Sequence, residues 1–96
     1  MKKKFIGEIA RELKIHEQTI REYERRGLIS PQRTPKNMRY FSRRDVHRLM
    51  TIITLTSELR INISGVRLIL SLAEKLGLND DELLDYIHDH INEYLD

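Results

Sequence analysis

Apolar positions at the start of the chain recur with the period of an α-helix. One helical face over about residues 6–14 carries Ile6, Ile9, Ala10 and Leu13. After a break at residues 14–16, a second helix is predicted from about 17 to 26, and Gly27 follows where helices commonly end. Two short helices joined by a tight turn are typical of a helix-turn-helix motif.

The period changes after Gly27, where the pattern predicts a β-hairpin. Leu28–Ile29 and Arg39–Phe41 are short strand candidates. The residues between them include turn and loop formers, namely Ser30, Pro31, Thr34, Pro35, Lys36 and Asn37. We therefore expect the tip of the hairpin near Pro35 to Asn37. A hairpin that directly follows a helix-turn-helix motif is a wing, so this region is predicted to be a winged helix-turn-helix.

Three further helices are predicted in the second half of the chain. The segment Ser42–Asp45 fits an N-terminal capping box, and an apolar helical face continues from there to about Leu59. Ser64 is the expected cap of the next helix, and Gly77 is its expected stop. Asn79 then begins an acidic last helix of about 15 residues. Its apolar stripe consists of Leu84, Ile87, Ile91, Tyr94 and Leu95. The fold class is therefore mostly α.

Charge is divided unevenly between the two halves of the chain. Residues 1–48 hold 14 Lys and Arg against 6 Asp and Glu, a net charge of +8. Residues 49–96 hold 3 against 9, a net charge of −6. A polyanion is attracted to such a first half and repelled by the second. The alternative is ordinary solvated charge, but the asymmetry favours a front that binds nucleic acid and a back with another role.

The composition excludes several other classes of protein. The chain has no cysteine, which rules out disulfides, thiolate metal sites and thiol nucleophiles. No apolar run reaches the roughly 18–20 residues of a membrane span, and no signal-peptide core follows the basic start. We expect a small soluble protein of the cytoplasm that binds no cofactor.

The second helix and the wing carry side chains suited to DNA. Gln pairs with adenine edges and Arg with guanine, and a recognition helix presents such groups to the major groove. The candidates on the helix are Gln18, Thr19, Arg21, Glu22, Tyr23 and Arg26. A basic wing contacts the DNA backbone or the minor groove. The candidates on and after the wing are Arg33, Lys36, Asn37, Arg39 and Arg43. The alternative is a solvated surface with incidental salt bridges such as Glu22 with Arg26.

Several segments, in this order, resemble the MerR-type winged-helix regulators. Together they span about residues 5–76, and they are Ile6–Ala10, Thr19–Ile29, Pro31, Arg33, Arg39–Tyr40, Ser42–Leu49 and Ile63–Leu70. The resemblance implies a homodimer that binds an inverted-repeat site in promoter DNA, and therefore a location at the nucleoid. By position, it implies DNA contacts from Thr19, Arg21 and Tyr23 on the second helix and from Arg39 and Tyr40 on the wing.

Within that family, His16–Tyr23 and Leu59–Leu70 are most similar to the heat-shock repressor, or HspR-like, branch. The similarity implies a repressor of chaperone genes that uses an Hsp70-type chaperone as co-repressor. The chain departs from the family pattern at Lys14, because Gly is common at this position of the turn. It also has no expected room for an effector domain, and without cysteine it is not expected to sense thiophilic metals or oxidants directly.

The last helix is too short to be stable alone in water, so its apolar stripe must pack against something. Three partners stay open: a second copy across a dimer seam, the core of the same chain, or a partner protein such as a chaperone. The dimer seam is the favoured interpretation. The predicted domain organisation is therefore a DNA-binding domain over residues 1–76 and a dimerisation element over residues 77–96.

Other functions fit the sequence less well. A metal site at His88 and His90 is disfavoured, because residues two apart on a helix point about 200° apart. The sequence has neither a hydrolase elbow nor a glycine loop for phosphate, so we do not expect an enzyme. Two alternatives to a promoter-bound regulator stay open: a chaperone-modulator-type interaction module and an excisionase-like recombination directionality factor. The intact basic wing favours the regulator over the interaction module.

Overall fold

The computed structural model describes residues 3–95, which form five α-helices, three short strands and two short helical segments of other types. In chain order they are β1 (Lys4–Phe5), α1 (Ile6–Leu13), α2 (Glu17–Arg25), β2 (Gln32–Arg33), β3 (Arg39–Phe41), α3 (Arg43–Ile53), a π-helical segment (Thr54–Glu58), α4 (Ile63–Lys75), α5 (Asp80–His90) and a 3₁₀ turn (Ile91–Glu93). The chain divides into two compact units between Val46 and His47. We call them the amino-terminal unit and the carboxy-terminal unit.

Helices α1 and α2 form the predicted helix-turn-helix in the amino-terminal unit. Lys14 lies in the turn with a φ of 58°, in the left-handed region. The Ile15 amide closes the turn by donating to the Ala10 carbonyl at 3.0 Å. A left-handed residue other than glycine is strained by roughly 1–2 kcal/mol. The tight turn is therefore formed with Lys in place of Gly, at the cost of backbone strain.

Helix α2 ends in a Schellman motif, as the position of Gly27 predicts. Gly27 has a φ of 77°, and its amide donates to the Glu24 carbonyl at 2.9 Å. The Leu28 amide donates to the Tyr23 carbonyl, also at 2.9 Å. The prediction of a strand at Leu28–Ile29 is wrong. Both side chains are buried, but the Leu28 backbone closes the end of α2 instead of pairing in a sheet.

The sheet has the strand order β1-β3-β2, and both strand pairs are antiparallel. Strands β2 and β3 form a hairpin in the predicted region, but its first strand is Gln32–Arg33 instead of Leu28–Ile29, and it places Arg33 opposite Arg39. Strand β1, which the sequence pattern did not predict, lies on the other side of β3 and places Phe5 opposite Tyr40. A mostly helical winged helix-turn-helix with a short hairpin wing is therefore confirmed as the fold class.

The long helix after the wing begins as predicted and then changes type. Ser42 and Asp45 exchange the two hydrogen bonds of a capping box, at 2.8 and 3.1 Å. The α-helix gives way to the π-helical segment Thr54–Glu58, in which the Leu59 amide donates to the Thr54 carbonyl five residues earlier. Hydroxyl groups that bond to carbonyls one turn earlier weaken an α-helix, and such bonds are formed by Thr51, Thr54 and Thr56.

Both remaining helices start at an asparagine. The prediction that Ser64 caps α4 is wrong, because the side-chain oxygen of Asn62 accepts the Gly65 amide at 2.9 Å. Asn and Ser are comparable N-caps, so the residue types alone did not decide between them. Asn79 caps α5 as predicted, and Glu82 completes a capping box there. Helix α5 is shorter than predicted, with 11 residues before the 3₁₀ turn.

Each unit has its own set of buried apolar side chains. Those of the amino-terminal unit are Ile9, Ala10, Ile20, Tyr23, Leu28, Ile29 and Phe41. Those of the carboxy-terminal unit are Leu49, Ile52, Leu55, Val66, Leu70, Ala73, Leu83, Leu84 and Ile87. Among residues 3–95, none of the helices combines the length and the apolar character that crossing a membrane requires.

Candidate nucleic-acid interface

Helix α2 exposes a polar surface over its first two turns. Gln18 is exposed and Thr19 is half-buried. The Arg21 guanidinium donates to Glu17 Oε1 and to Gln18 Oε1, in both cases at 3.0 Å. The Arg21 side chain is 40% exposed, and a guanidinium has five N–H donors. Donors of Arg21 therefore remain available to a phosphate or to a base edge.

Glu24 joins the wing to α2. Its Oε2 accepts a hydrogen bond from Arg33 Nη2 at 3.1 Å, and its Oε1 accepts one from Arg39 Nε at 2.5 Å. The side chains of Glu24 and Arg39 are only 20% and 24% exposed, so water screens this pair less than an ordinary surface salt bridge. We call Glu24, Arg33 and Arg39 the wing cluster. Because Arg33 lies on β2 and Arg39 on β3, the cluster ties both strands of the hairpin to α2.

The wing cluster brings the cations of the helix and of the wing to one side of the amino-terminal unit. Arg21 and Glu24 are three residues apart on α2 and therefore lie on the same face of the helix. Arg39 reaches Glu24 from β3. Arg21 and Arg39 thus border a single surface formed by α2 and the wing, which is the arrangement that a winged helix-turn-helix needs to contact one stretch of DNA.

The tip of the wing is a tight turn. The Thr34 amide donates to the Met38 carbonyl at 2.9 Å, and the Thr34 hydroxyl accepts the Met38 amide at 3.1 Å. Asn37 has a φ of 66°, a left-handed conformation that Asn adopts more readily than most residues. Lys36 and Asn37 are both exposed. The tip therefore presents one positive charge and one amide to the surroundings.

Strand β1 brings a lysine to the wing that the sequence analysis missed. Lys3 Nζ lies 4.7 Å from the centre of the Tyr40 ring, which is within the range of a cation–π contact. Tyr40 itself is half-buried on β3. The basic start of the chain was visible in the sequence. Its position next to the wing was not, because a strand of two residues leaves no alternating pattern to detect.

The other candidates occupy different surroundings. Glu22 accepts hydrogen bonds from Arg25 and from Arg26. Both bonds lower the pKa of Glu22 from its ordinary value of 4.5, and the bond from Arg25 has the larger effect. Tyr23 is 8% exposed, so its ring belongs to the core of the amino-terminal unit and its contact with DNA stays a prediction. Arg43 is exposed in the first turn of α3.

The stretch that contains this surface matches a known protein family. Residues 5–73 match the MerR helix-turn-helix family of regulatory proteins. The chain belongs to the MerR family. Over 63 residues it is also 36% identical to heat shock protein HspR of Streptomyces coelicolor. That alignment covers 66% of this chain and 42% of HspR, so the matched part spans less than half the length of this relative. The resemblance to MerR regulators, and to HspR among them, is confirmed.

The matched family is a family of regulatory proteins. The residues predicted for its dimer seam fall into two groups. Leu84 and Ile87 are buried in the carboxy-terminal unit, with 6% and 7% exposure. Ile91 is half-buried, whereas Tyr94 and Leu95 are exposed. The first part of the stripe therefore packs within the chain itself, and only its last part presents apolar surface to solvent.

Glu24 is the central residue of the candidate interface that sequence reasoning missed. The available signal was a carboxylate between Arg21 and Arg25, in a helix that is otherwise suited to DNA. Its two partners stand nine and fifteen residues further along the chain. Helical spacing relates residues within one element, so it does not show that Arg33 and Arg39 converge on this carboxylate.

Proposed function

We propose that this MerR-family protein is a dimeric transcription regulator that binds double-stranded DNA at an inverted-repeat operator and represses heat-shock or chaperone genes. The observation that carries the proposal is the wing cluster, which ties α2 and the hairpin to one surface. The charge of the first half of the chain supports a polyanionic partner. The relationship to a protein named for heat shock supports the class of genes.

In this proposal, α2 reads base edges in the major groove while the wing contacts the backbone beside it. Gln18, Thr19 and Arg21 lie in the first two turns of α2, the part of a recognition helix that reaches the bases. Lys36 at the tip of the wing and Arg43 at the start of α3 contribute phosphate contacts. Phosphate contacts supply most of the affinity, and the side chains of α2 supply the sequence preference.

A second copy of the chain completes the proposed site, because each winged helix-turn-helix reads one half of an inverted repeat. Leu68 and Leu72 on α4 and Leu76 directly after it stand at four-residue spacing, with exposures of 61%, 51% and 76%. A leucine stripe of this kind on the surface marks an interaction site. We assign the seam to this stripe together with Tyr94 and Leu95, while Leu84 and Ile87 support α5 from within the unit.

The proposal includes a location at the nucleoid and an Hsp70-type chaperone as co-repressor. Both are what the resemblance to the heat-shock branch implies, and the similarity to HspR supports that branch. The chaperone is expected to tighten binding to the operator when it is added to the purified protein and duplex. Unchanged duplex affinity over a wide range of chaperone concentrations would remove this part of the proposal and leave the DNA-binding part intact.

The first experiment is to recover the duplexes that the full chain retains from a fragmented genome, followed by a salt titration on the best duplex. Fragments from promoters of chaperone genes are expected. If the dimer neutralises about 6–10 phosphates, log affinity falls with log salt with a slope of roughly −5 to −9. A flat salt response, or the absence of any retained duplex, contradicts the proposal. Recovery of attachment sites of mobile DNA points instead to an excisionase-like factor.

A further inference from the structure

The carboxy-terminal unit contains an apolar cavity that the proposed reading of DNA does not use. The cavity has a volume of about 180 Å³ and is open to solvent on one side. Its wall is formed by Leu55, Leu59, Ile61, Ile69, Leu83 and Ile87. Tyr86, His90 and Tyr94 also line it, and the 51% and 63% exposure of the two tyrosines places them at the opening.

The volume of the cavity limits the size of a ligand. Pockets for drug-sized molecules are typically about 300–1,000 Å³. An engineered protein cavity of about 150 Å³ lined by aliphatic and aromatic side chains binds benzene. At about 180 Å³, the cavity of this protein therefore has room within its walls for a single ring with one small substituent.

The lining limits the chemistry of the ligand. No Lys, Arg, Asp or Glu is among the described residues that line the cavity, so a charged group inside it would lack a partner. Among the described lining residues, polar side-chain groups belong to Tyr86, His90 and Tyr94. The centroids of the Tyr86 and His90 rings lie 4.4 Å apart with the ring planes tilted by 32°, and a hydrogen bond with Tyr86 raises the pKa of Tyr94. An uncharged ligand can therefore bury its ring in the wall and direct one polar group towards these hydroxyls.

The π-helical segment Thr54–Glu58 contributes to the wall of the cavity. A π-helical turn is wider than an α-helical turn and often occurs at functional sites. Leu55 lies in this segment and is 2% exposed, while Leu59 follows it directly. Because Leu55, Leu83 and Ile87 are all held in the core of the unit, the cavity is a formed feature of the fold.

We propose that this cavity binds a small uncharged aromatic molecule, a single ring that carries one hydroxyl or N–H group. The ring lies against Leu55, Leu59 and Ile69, and the polar group forms a hydrogen bond with the tyrosine pair at the opening. This site belongs to the carboxy-terminal unit alone and does not depend on the proposed DNA contacts.

The test uses the full chain without DNA and follows its amide resonances by NMR during titration with three probes. The probes are p-cresol, toluene and benzoate. We expect saturable shifts for cavity residues with p-cresol, weaker binding of toluene, and no shifts with benzoate because its charge is not accommodated. Binding is measured at two protein concentrations, so that filling of the cavity by a second copy is recognised.

Two kinds of variant locate the site. Ile69→Phe places a ring inside the cavity and is expected to weaken the binding of p-cresol at least about tenfold. Leu59→Phe is a second variant of the same kind. Ser71→Phe adds the same ring at an exposed position of α4 outside the cavity and is expected to leave the affinity unchanged. Replacing Tyr86 and Tyr94 together by Phe removes both hydroxyl groups. The affinity for p-cresol is then expected to fall to that for toluene, and the affinity for toluene is expected to stay unchanged.

Three results would overturn this proposal. The first is the absence of saturable shifts with p-cresol up to its solubility. The second is unchanged p-cresol affinity in both Ile69→Phe and Leu59→Phe, which would place the probe elsewhere. The third is a set of cavity shifts that follow protein concentration instead of probe concentration, which would show that a second copy occupies the cavity. The first two results leave the duplex-binding proposal intact, whereas the third would assign this cavity to the seam of the proposed dimer, which already includes Tyr94.

Discussion

The carboxylate of Glu24 has two opposed effects on DNA binding. Its negative charge repels phosphates, which weakens binding to any sequence. Its hydrogen bonds to Arg33 and Arg39 hold the wing at a fixed position relative to α2, which favours the one duplex that fits both elements. The first effect is independent of sequence and the second is not, so the two are separable by comparing specific with non-specific DNA.

Replacement of Glu24 by Gln is expected to lower the ratio of specific to non-specific affinity by about tenfold. Hydrogen bonds to charged groups contribute about 1.5–3 kcal/mol, and the loss of one such bond within a cluster is of this order. Competition binding with operator and random duplex measures the ratio. Glu12→Gln is the matched control, because it removes the same charge from an exposed pair with Lys4. An unchanged ratio in Glu24→Gln would contradict the role of the wing cluster.

Arg21→Ala tests the reading of base edges. The variant is expected to weaken operator binding by about 1–3 kcal/mol and to relax the preference at one base pair. Its free energy of unfolding should change by no more than about 0.5 kcal/mol, because the pair with Glu17 is exposed. Arg67→Ala, an exposed cation on α4, is the control and should leave binding unchanged. Equal operator affinity for Arg21→Ala and the parent chain would remove Arg21 from the site.

The pKa of Glu22 gives a pH-dependent prediction. Hydrogen bonds from Arg25 and then Arg26 lower this pKa in the folded chain below 4.5. The contribution of Glu22 to stability is therefore present above its unfolded pKa and is lost as pH falls through the lower folded pKa. Carboxyl NMR titration should show that Arg25→Gln raises the pKa of Glu22 more than Arg26→Gln does. The opposite order would show that Arg26 is the stronger partner in solution.

At the scale of elements, the cap of α4 is a point on which the sequence pattern and the structure disagree. Asn62→Ala is expected to destabilise the protein by about 1 kcal/mol, because the Gly65 amide loses its acceptor. In a chain of this size that corresponds to a fall in Tm of roughly 4–8 °C, measured by thermal unfolding. Ser64→Ala should leave Tm nearly unchanged, and a larger fall for Ser64→Ala than for Asn62→Ala would restore Ser64 as the cap.

Elements whose signals are local were predictable from the sequence. The capping boxes at Ser42 and Asn79 and the helix ends at Gly27 and Gly77 each depend on residues within about one turn of each other. Strand β1 was not predictable, because its two residues pair with a strand more than thirty positions away. The π-helical segment was not predictable either. Three Thr hydroxyls in and before it bond to the helix backbone, but a Thr within a helical pattern gives no sign of such a bond in the sequence.

At the scale of the whole molecule, the predicted dimer is tested on the leucine stripe of α4. Leu72→Glu is expected to yield a folded monomer, because it places a charge in the proposed seam at a position that is 51% exposed in the single chain. Sedimentation measures the mass, and operator affinity should fall because one monomer contacts only one half-site. Ser71→Glu, at an exposed neighbouring position, should stay dimeric. A dimeric Leu72→Glu would contradict the assigned seam.

At this scale, the sequence predicted which half of the chain holds the candidate site but not which surfaces cover its apolar faces. The uneven charge correctly marked the half of the chain that carries the winged helix-turn-helix. Helical spacing identified Leu84 and Ile87 as members of an apolar face. It did not show that this face is covered by the chain itself, because periodicity identifies an apolar surface without naming the surface that it meets.

The π-helical segment Thr54–Glu58 means that the chain holds one residue more than a regular α-helical ladder accommodates at this point. Helices usually tolerate a one-residue deletion poorly, since every side chain beyond the deletion rotates by about 100°. Here the removal of a single exposed residue such as Ser57 would let the ladder close into regular α-helix. Deletion of one residue would thus change the backbone path of this helix in a way that no substitution of a side chain can.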